Sequence, residues 1–262
     1  MSTAPQMPDT APPTQARTSA PHRQDSSWLS SVQSLMLTIV IAIFVITFLV
    51  QAFQIPSESM ENTLLIGDYL LVDKEHFGSA PWLGRLLPYE KIKRNDIIVF
   101  RYPVNPEQHF VKRVIGMPGD RIKLIHGNVL VNGIFLNEPY VIRKRRNYNA
   151  YRDDFPSKRY ADPNVDARWW GEMGKLIDED GQLIVPQNNY FVLGDNREDS
   201  LDSRYWGFVP RENVLGRPMM IYFSVHQPNE GAAQDDKLLG FAYTLGHIAD
   251  SVRWHRCFRM VF

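Results

Sequence analysis

Hydrophobic positions follow two different patterns along the chain. From Trp28 to Ser57 there is no charged residue, and Val32 to Val50 is dominated by Leu, Ile, Val and Phe. Its polar positions, Gln33, Ser34, Thr38 and Thr47, are too few to make the polar stripe of a helix lying on a soluble core. As a helix this run is about 28 Å long, against a hydrocarbon core of about 30 Å. No small-x-small site follows it, which argues against a cleaved signal peptide. The pattern predicts a retained transmembrane helix over 32–50.

Beyond the span the period becomes that of strands. "DIIVF" (96–100), "HFVKRVI" (109–115), "RIKLI" (121–125) and "NVLVN" (128–132) are short β-rich runs separated by turn signals. "HGN" and "NG" between and after the last two predict successive hairpins. "LIVP", "YFVLGD" and "MMIYFSV" supply later strands. The body is therefore mainly β. A polar, aromatic and charge-rich stretch over about 137–187 reads as an insertion. Its basic cluster, Arg143 to Arg146, fits a solvated loop better than a lipid-headgroup site. Near the C-terminus, Leu238, Phe241, Leu245, Ile248 and Val252 recur at helical spacing, with Arg253, Arg256 and Arg259 close by. That spacing fits an amphipathic helix, either on a membrane surface or on the β core.

Residues 1–31 precede the span. Most of them are Pro, Ser, Thr, Ala and Gln without hydrophobic period, which predicts a disordered tail. Arg17 and Arg23 lie before the span and no Lys or Arg follows until Lys74, so the N-terminus is expected in the cytoplasm and the body 51–262 outside.

Charge and composition narrow the chemistry. Lys+Arg and Asp+Glu balance at 29 each, which removes the field that a nucleic-acid partner would need. One cysteine, Cys257, allows no intramolecular disulfide and no cysteine-based metal site. The seven histidines form no HExxH or close pair, and there is no GxGxxG or Walker loop. No metal and no cofactor are expected.

Candidate chemistry lies in three stretches. In "IPSESM", Ser57 and Ser59 follow the span directly; residues 51–58 reach at most about 26–29 Å, so Ser59 works near the bilayer surface. A serine needs a base to act as a nucleophile at neutral pH. In "HFVKRVI", strand alternation puts Lys112 on the face of Phe110 and Val114, where desolvation would lower its pKa. An edge-strand lysine turned to solvent fits the same pattern. In "LGDNREDSLDSRYWGFVP" (193–210), opposed charges fit either a loop tied by an Asp202–Arg204 pair and an Asp195–Arg197 or Asp195–Arg113 pair, or a loop whose serine orients a base.

Together these stretches resemble type I bacterial signal peptidase, a membrane-bound serine protease of the Ser/Lys class. "PSESM" (56–60) resembles its nucleophile box, "KRNDIIVF" (93–100) its strand box, "VKRVIGMPGD" (111–120) its lysine box and "GDNREDSLDSRYWGFVP" (194–210) its last box. The boxes stand in the family's order behind a membrane anchor. The resemblance implies a β-rich catalytic core with a β extension, tethered by one N-terminal transmembrane helix. It implies Ser59 as nucleophile, Lys112 as general base, Ser57 as an oxyanion donor and Ser200 as the residue orienting Lys112. Asp202, Arg204, Asp195 and Arg113 would support the last loop. Phe53, Ile55, Met60, Leu64, Phe110 and Val111 would line small pockets that accept Ala-x-Ala. Implied partners are signal-peptide-bearing preproteins, the lipid bilayer of the bacterial inner membrane and the secretion translocon, with no nucleic acid.

Some positions depart from the family's usual pattern. Glu58 stands where a small residue is common, Asn62 where proline is, and Asn95 where Arg-Gly-Asp has its glycine. Glu198 and Asp199 stand where Asp and Asn are commoner. No implied catalytic group is lost, and the departures bear on turn geometry. A Ser/Lys self-cleaving regulator shares the core but carries a DNA-binding domain in place of the span. A non-catalytic tethered β protein would have no reason to keep Ser57, Ser59, Lys112 and Ser200 together.

Overall fold

A computed structural model describes residues 27–44, 50–73, 91–144, 147–157, 159–226 and 251–261. Residues 1–43 and 44–262 form separate units. In the first, helix α1 (Ser27–Phe44) covers the start of the expected span, with the side chains of 28–43 exposed. Among the described residues no helix is long and apolar enough to cross a membrane. Residues 45–49 lie outside the described residues, as does the expected tail up to residue 26, and Val50 already opens a strand.

Among the described residues the second unit has twelve strands: β1 (Val50–Gln54), β2 (Asp68–Asp73), β3 (Ile97–Arg101), β4 (His109–Gly116), β5 (Arg121–Ile125), β6 (Asn128–Val131), β7 (Ile134–Phe135), β8 (Leu183–Ile184), β9 (Asn189–Leu193), β10 (Val209–Pro210), β11 (Val214–Ser224) and β12 (Arg259–Met260). One sheet has the order β1-β2-β11-β3-β4-β9-β10, with β12 also on β11; the other has the order β7-β6-β5-β8. β2, β11 and β3 separate β1 from β4 in the first sheet, yet the rings of Phe53 and His109 lie 5.5 Å apart. The sheet is therefore curled, and the curl makes the cleft described below.

Alternation along β3 divides the interior. Ile98 and Phe100 enter the larger core, shared with Val114, Phe191 and Leu193, while Ile97 and Val99 enter a smaller one with Ile55, Met60, Leu64 and Leu70. Successive side chains of a strand point to opposite faces, so one strand serves both cores. The second sheet grows from local turn chemistry. His126-Gly127 and Asn132-Gly133 join β5 to β6 and β6 to β7, and all four residues have positive φ. That is the mirror-image two-residue turn whose twist matches a hairpin, and the "HGN" and "NG" signals anticipated both.

The β extension takes its strands from 121–135 and 183–184. Between them, the stretch expected as an insertion carries two short helices, α2 (Ala150–Asp153) and α3 (Ala167–Met173), each capped by an acceptor side chain, Asn149 or Asp166. Most of the expected C-terminal helix, with Leu238, Phe241, Leu245 and Ile248 in 227–250, falls outside the described residues. From Val252 the chain pairs with Val225, makes one 3-10 turn at Trp254–Arg256 and ends in β12. There Arg256 is buried, with its guanidinium on the carboxylate of Asp68 at 2.6 Å.

Candidate active site

β1 runs into Pro56, after which Glu58–Met60 forms a single 3-10 turn. Ile55, Met60 and Leu64 are buried in the smaller core and fix both flanks of this turn. Ser59 is left 6% exposed. The register of β3 on β4 sets Lys112 opposite Ile98, and Lys112 is 4% exposed. Lys112 Nζ lies 2.5 Å from Ser59 Oγ, and Ser57 Oγ lies 3.2 Å from the same oxygen.

The alternative of a solvent-facing lysine is thereby set aside. Lys112 Nζ sits 5.6 Å from the centre of the Phe110 ring. Burial penalises the ammonium and lowers the Lys112 pKa from 10.5 to about 8, although Asp202 and Asp195 favour the charge; Arg204 adds to the lowering. The amine can therefore shed its proton near physiological pH.

Residues 194–204 form the wall behind this pair. A Cβ on Gly194 would stand 2.5 Å from the carbonyl oxygen of Ser59 and 2.3 Å from Ser200 Oγ, so only glycine allows the approach. The N–H of Asn196 donates to the Ser59 carbonyl at 3.1 Å. Of the expected ion pairs, Asp202–Arg204 and Asp195–Arg113 are present and both bidentate, while Arg197 meets Glu138 in place of Asp195. Arg113 meets Asp195 at 2.8 and 2.7 Å, and Arg204 meets Asp202 at 2.8 and 2.8 Å, all four residues being buried. Asp202 also caps helix α4 (Ser203–Trp206) and accepts from the Gly194 N–H at 3.2 Å. Burial alone would raise the Asp202 pKa, but Arg204 holds it below the usual value.

Ser200 departs from expectation. It is buried against Gly194, and its Oγ makes no hydrogen bond of regular geometry, though it lies close enough to the Asp202 carboxylate to help hold that pKa down. The expected bond from Ser200 to Lys112 is not made in this structure.

A cavity of about 290 Å³ opens beside Ser59 and Lys112. Phe53, Ile55, Met60, Phe110 and Val111 line it, as the resemblance implied. Leu64 does not; it is fully buried in the smaller core beneath. Val99, His109, Asp199 and Leu201 line the cavity without having been singled out beforehand. Val99 was findable, because it lies opposite Val111 on the neighbouring strand. Thr63 was missed too; its Oγ1 donates to Asp195 Oδ2 at 2.6 Å, joining the turn to the loop. Among the described residues no group of His, Cys, Asp or Glu is arranged to hold a metal.

Chemically, the arrangement places a hydroxyl, a neutralisable amine and a second hydroxyl at the end of an apolar cavity. A family model described as "Signal peptidase, peptidase S26" matches residues 28–223. The signal peptidase I of Aquifex aeolicus (strain VF5) is 35% identical over 231 residues, covering 76% of this chain and 85% of that protein. A probable signal peptidase I-2 of Synechocystis sp. is 35% identical over 217 residues, covering 81% and 80%. A crystal structure of a signal peptidase I from Enterococcus faecalis is 34% identical, with a TM-score of 0.32 over 49% of this chain and 97% of that one. This chain therefore belongs to the signal peptidase family, peptidase S26, and is a serine-type signal peptidase that removes signal peptides from preproteins.

Proposed function

We propose that cleavage proceeds through a Ser59–Lys112 dyad and an acyl-enzyme, after Ala-x-Ala-like sites. The observation that carries this reading is the 2.5 Å contact between Lys112 Nζ and Ser59 Oγ at the end of the cavity. Neutral Lys112 takes the Ser59 proton as Oγ adds to the scissile carbonyl. Ser57 Oγ–H and the Ser59 N–H hold the developing oxyanion. The Lys112 ammonium then protonates the leaving amine, which departs with the mature protein. Water, deprotonated by Lys112, attacks the ester carbon and releases the signal peptide with Ser59 restored. Asp195, Arg113, Asp202 and Arg204 keep the supporting loop in place, and Ser200 orients Lys112 through packing or a bond formed once substrate is bound.

Substrate choice follows from the cleft. At about 290 Å³ it stands at the small end of ligand cavities, with apolar walls that suit alanine side chains. Among the described residues β1 has a partner on one side only, and β4 pairs with β9 only from Arg113 onward. An extended peptide can therefore add between them through main-chain bonds.

The apolar residues 32–50 tether the site to the inner membrane, with the N-terminus cytoplasmic and Ser59 at the outer surface. A signal peptide's apolar segment stays in the lipid, so a nucleophile held a few residues from its own span meets the cleavage site at the right depth. Confinement to the bilayer also raises the effective concentration of the preprotein, whether it is met free or at the translocon. The test uses the full chain in detergent with a preprotein substrate, identifying the new N-terminus by mass spectrometry. Cleavage after Ala-x-Ala by the wild type and none by Ser59→Ala is expected. An active Ser59→Ala variant would remove the dyad.

A further inference from the structure

Three departures from the family's usual residues, Glu58, Asn62 and Asn95, converge on one segment, residues 138–144. Asn62 has φ 87° and Asn95 has φ 73°. Proline, whose φ is fixed near −65°, cannot adopt the first of these conformations, whereas asparagine tolerates it. The turn after Ser59 therefore lacks the rigidity of a proline and must be held by contacts.

Tyr140 supplies them. Its carbonyl accepts from Asn62 Nδ2 at 3.1 Å, and its hydroxyl donates to Asn95 Oδ1 at 3.1 Å. Its ring lies over the guanidinium of Arg113, 3.9 Å from centroid to Cζ. Arg113 follows Lys112 in β4, and Asn62 stands three residues after Ser59. One residue thus joins the strand that carries the amine, through its ring, to the turn that carries the hydroxyl, through its backbone carbonyl. The segment is anchored on both sides of Tyr140. Glu138 binds Arg197 at 3.0 Å with both residues nearly buried, and the Ile142 N–H donates to the Asp195 carbonyl at 3.0 Å. Lys144 reaches Glu58 and Glu61, but solvent screens that contact, so it is weak by itself.

We propose that Tyr140 is a positioning residue, holding the Ser59-bearing turn at its distance from Lys112 through Asn62 on one side and Arg113 on the other. This rests on the Ser59–Lys112 reading. In the catalytic sequence Tyr140 touches neither substrate nor the reacting atoms, so it acts on kcat and leaves binding alone.

The test compares kcat, KM and melting temperature of the full chain carrying Asn62→Gly, Tyr140→Ala, both together, or Tyr140→Phe, with Ser59→Ala alongside. Glycine keeps the positive φ and removes only the amide donor. Expected are kcat losses on the order of tenfold for Asn62→Gly and for Tyr140→Ala at unchanged KM, since small misplacements of reacting groups are costly. The double variant should be no slower than the slower single one, because the carbonyl link to Asn62 and the ring contact on Arg113 act in series through the one residue, and breaking either already frees the turn. Tyr140→Phe, which keeps the ring on Arg113, should recover most of the rate. Unchanged kcat with a lower melting temperature would overturn the proposal, and so would a raised KM at unchanged kcat. If Tyr140→Ala does not fold, Asn62→Gly decides alone. Activity in Ser59→Ala would instead remove the dyad itself, whereas a dead Ser59→Ala beside normal strap variants removes only the role of Tyr140.

Discussion

Lys112 Nζ and Ser59 Oγ lie 2.5 Å apart across 53 residues of chain, inside a wall that leaves both residues less than a tenth exposed. Two features of the fold create that relationship. The curl of the sheet brings the end of β1 over β4, and the missing side chain of Gly194 lets the loop behind close on the Ser59 carbonyl. The predictions below follow from one or both.

Gly194→Ala should abolish cleavage. The new methyl would meet the Ser59 carbonyl oxygen at 2.5 Å and Ser200 at 2.3 Å, so the turn or the loop must shift. A misplacement of about 1 Å can cost on the order of 100-fold. Steady-state kinetics of the folded variant checks this, and a wild-type kcat would contradict it.

Ser57→Ala should be slow and not dead. Its hydroxyl sits 3.2 Å from Ser59 Oγ, in place to meet an oxyanion formed there. Removing one such donor typically costs roughly 10²–10³ in kcat. Loss confined to KM would show that Ser57 only contacts substrate.

Asp202→Asn should act on both stability and the pH profile. Arg204, 1% exposed, would lose its counter-charge, and breaking such a buried pair costs roughly 3–5 kcal/mol. Asp202 also favours the charged form of Lys112, so its neutralisation should lower the Lys112 pKa below about 8. The ascending limb of activity then moves to lower pH. A limb moving upward would show that Asp202 does not act on the amine in this way.

Lys112→Met should be inactive and more stable than the wild type at pH 7. The folded-state pKa, about 8, lies below the ordinary 10.5, so the folded protein binds this proton less tightly than the unfolded chain. Below pH 8 both states are protonated and the folded state carries the whole penalty, roughly 3 kcal/mol. The penalty fades as pH rises from about 8 to 10.5, and wild-type stability gains accordingly. Urea midpoints of the two proteins at pH 7 and pH 10 should therefore converge at the higher pH. A constant difference would contradict the shift.

What could be read from the residues alone was what local chemistry decides. Turn residues with positive φ announced the β5–β6–β7 meander, and the motifs at Ser59, Lys112 and Asp202 announced the site through resemblance. Contacts made by distant side chains were not legible. Nothing in the sequence around Tyr140 points to Asn62, because 78 residues separate them and the bond uses a backbone carbonyl. Arg256 was read as part of an amphipathic surface because its partner, Asp68, stands 188 positions away. Ser200 has the same origin: the motif specifies the residue, while the fold sets its hydroxyl beside Gly194 and the Asp202 carboxylate, without a bond to Lys112.

The central claim is that Lys112 is the base for Ser59, and a pH profile of kcat/KM tests it most directly. The substrate is a peptide whose cleavage site reads Ala-x-Ala, with stability checked at each pH. Since kcat/KM reports the free enzyme's groups, the rate should climb with pH along a single limb centred near 8, as Lys112 loses its proton. His109 lines the same cavity and is the histidine to test as an alternative base. A limb centred well below 8 that disappears in His109→Ala would show that Lys112 is not the base.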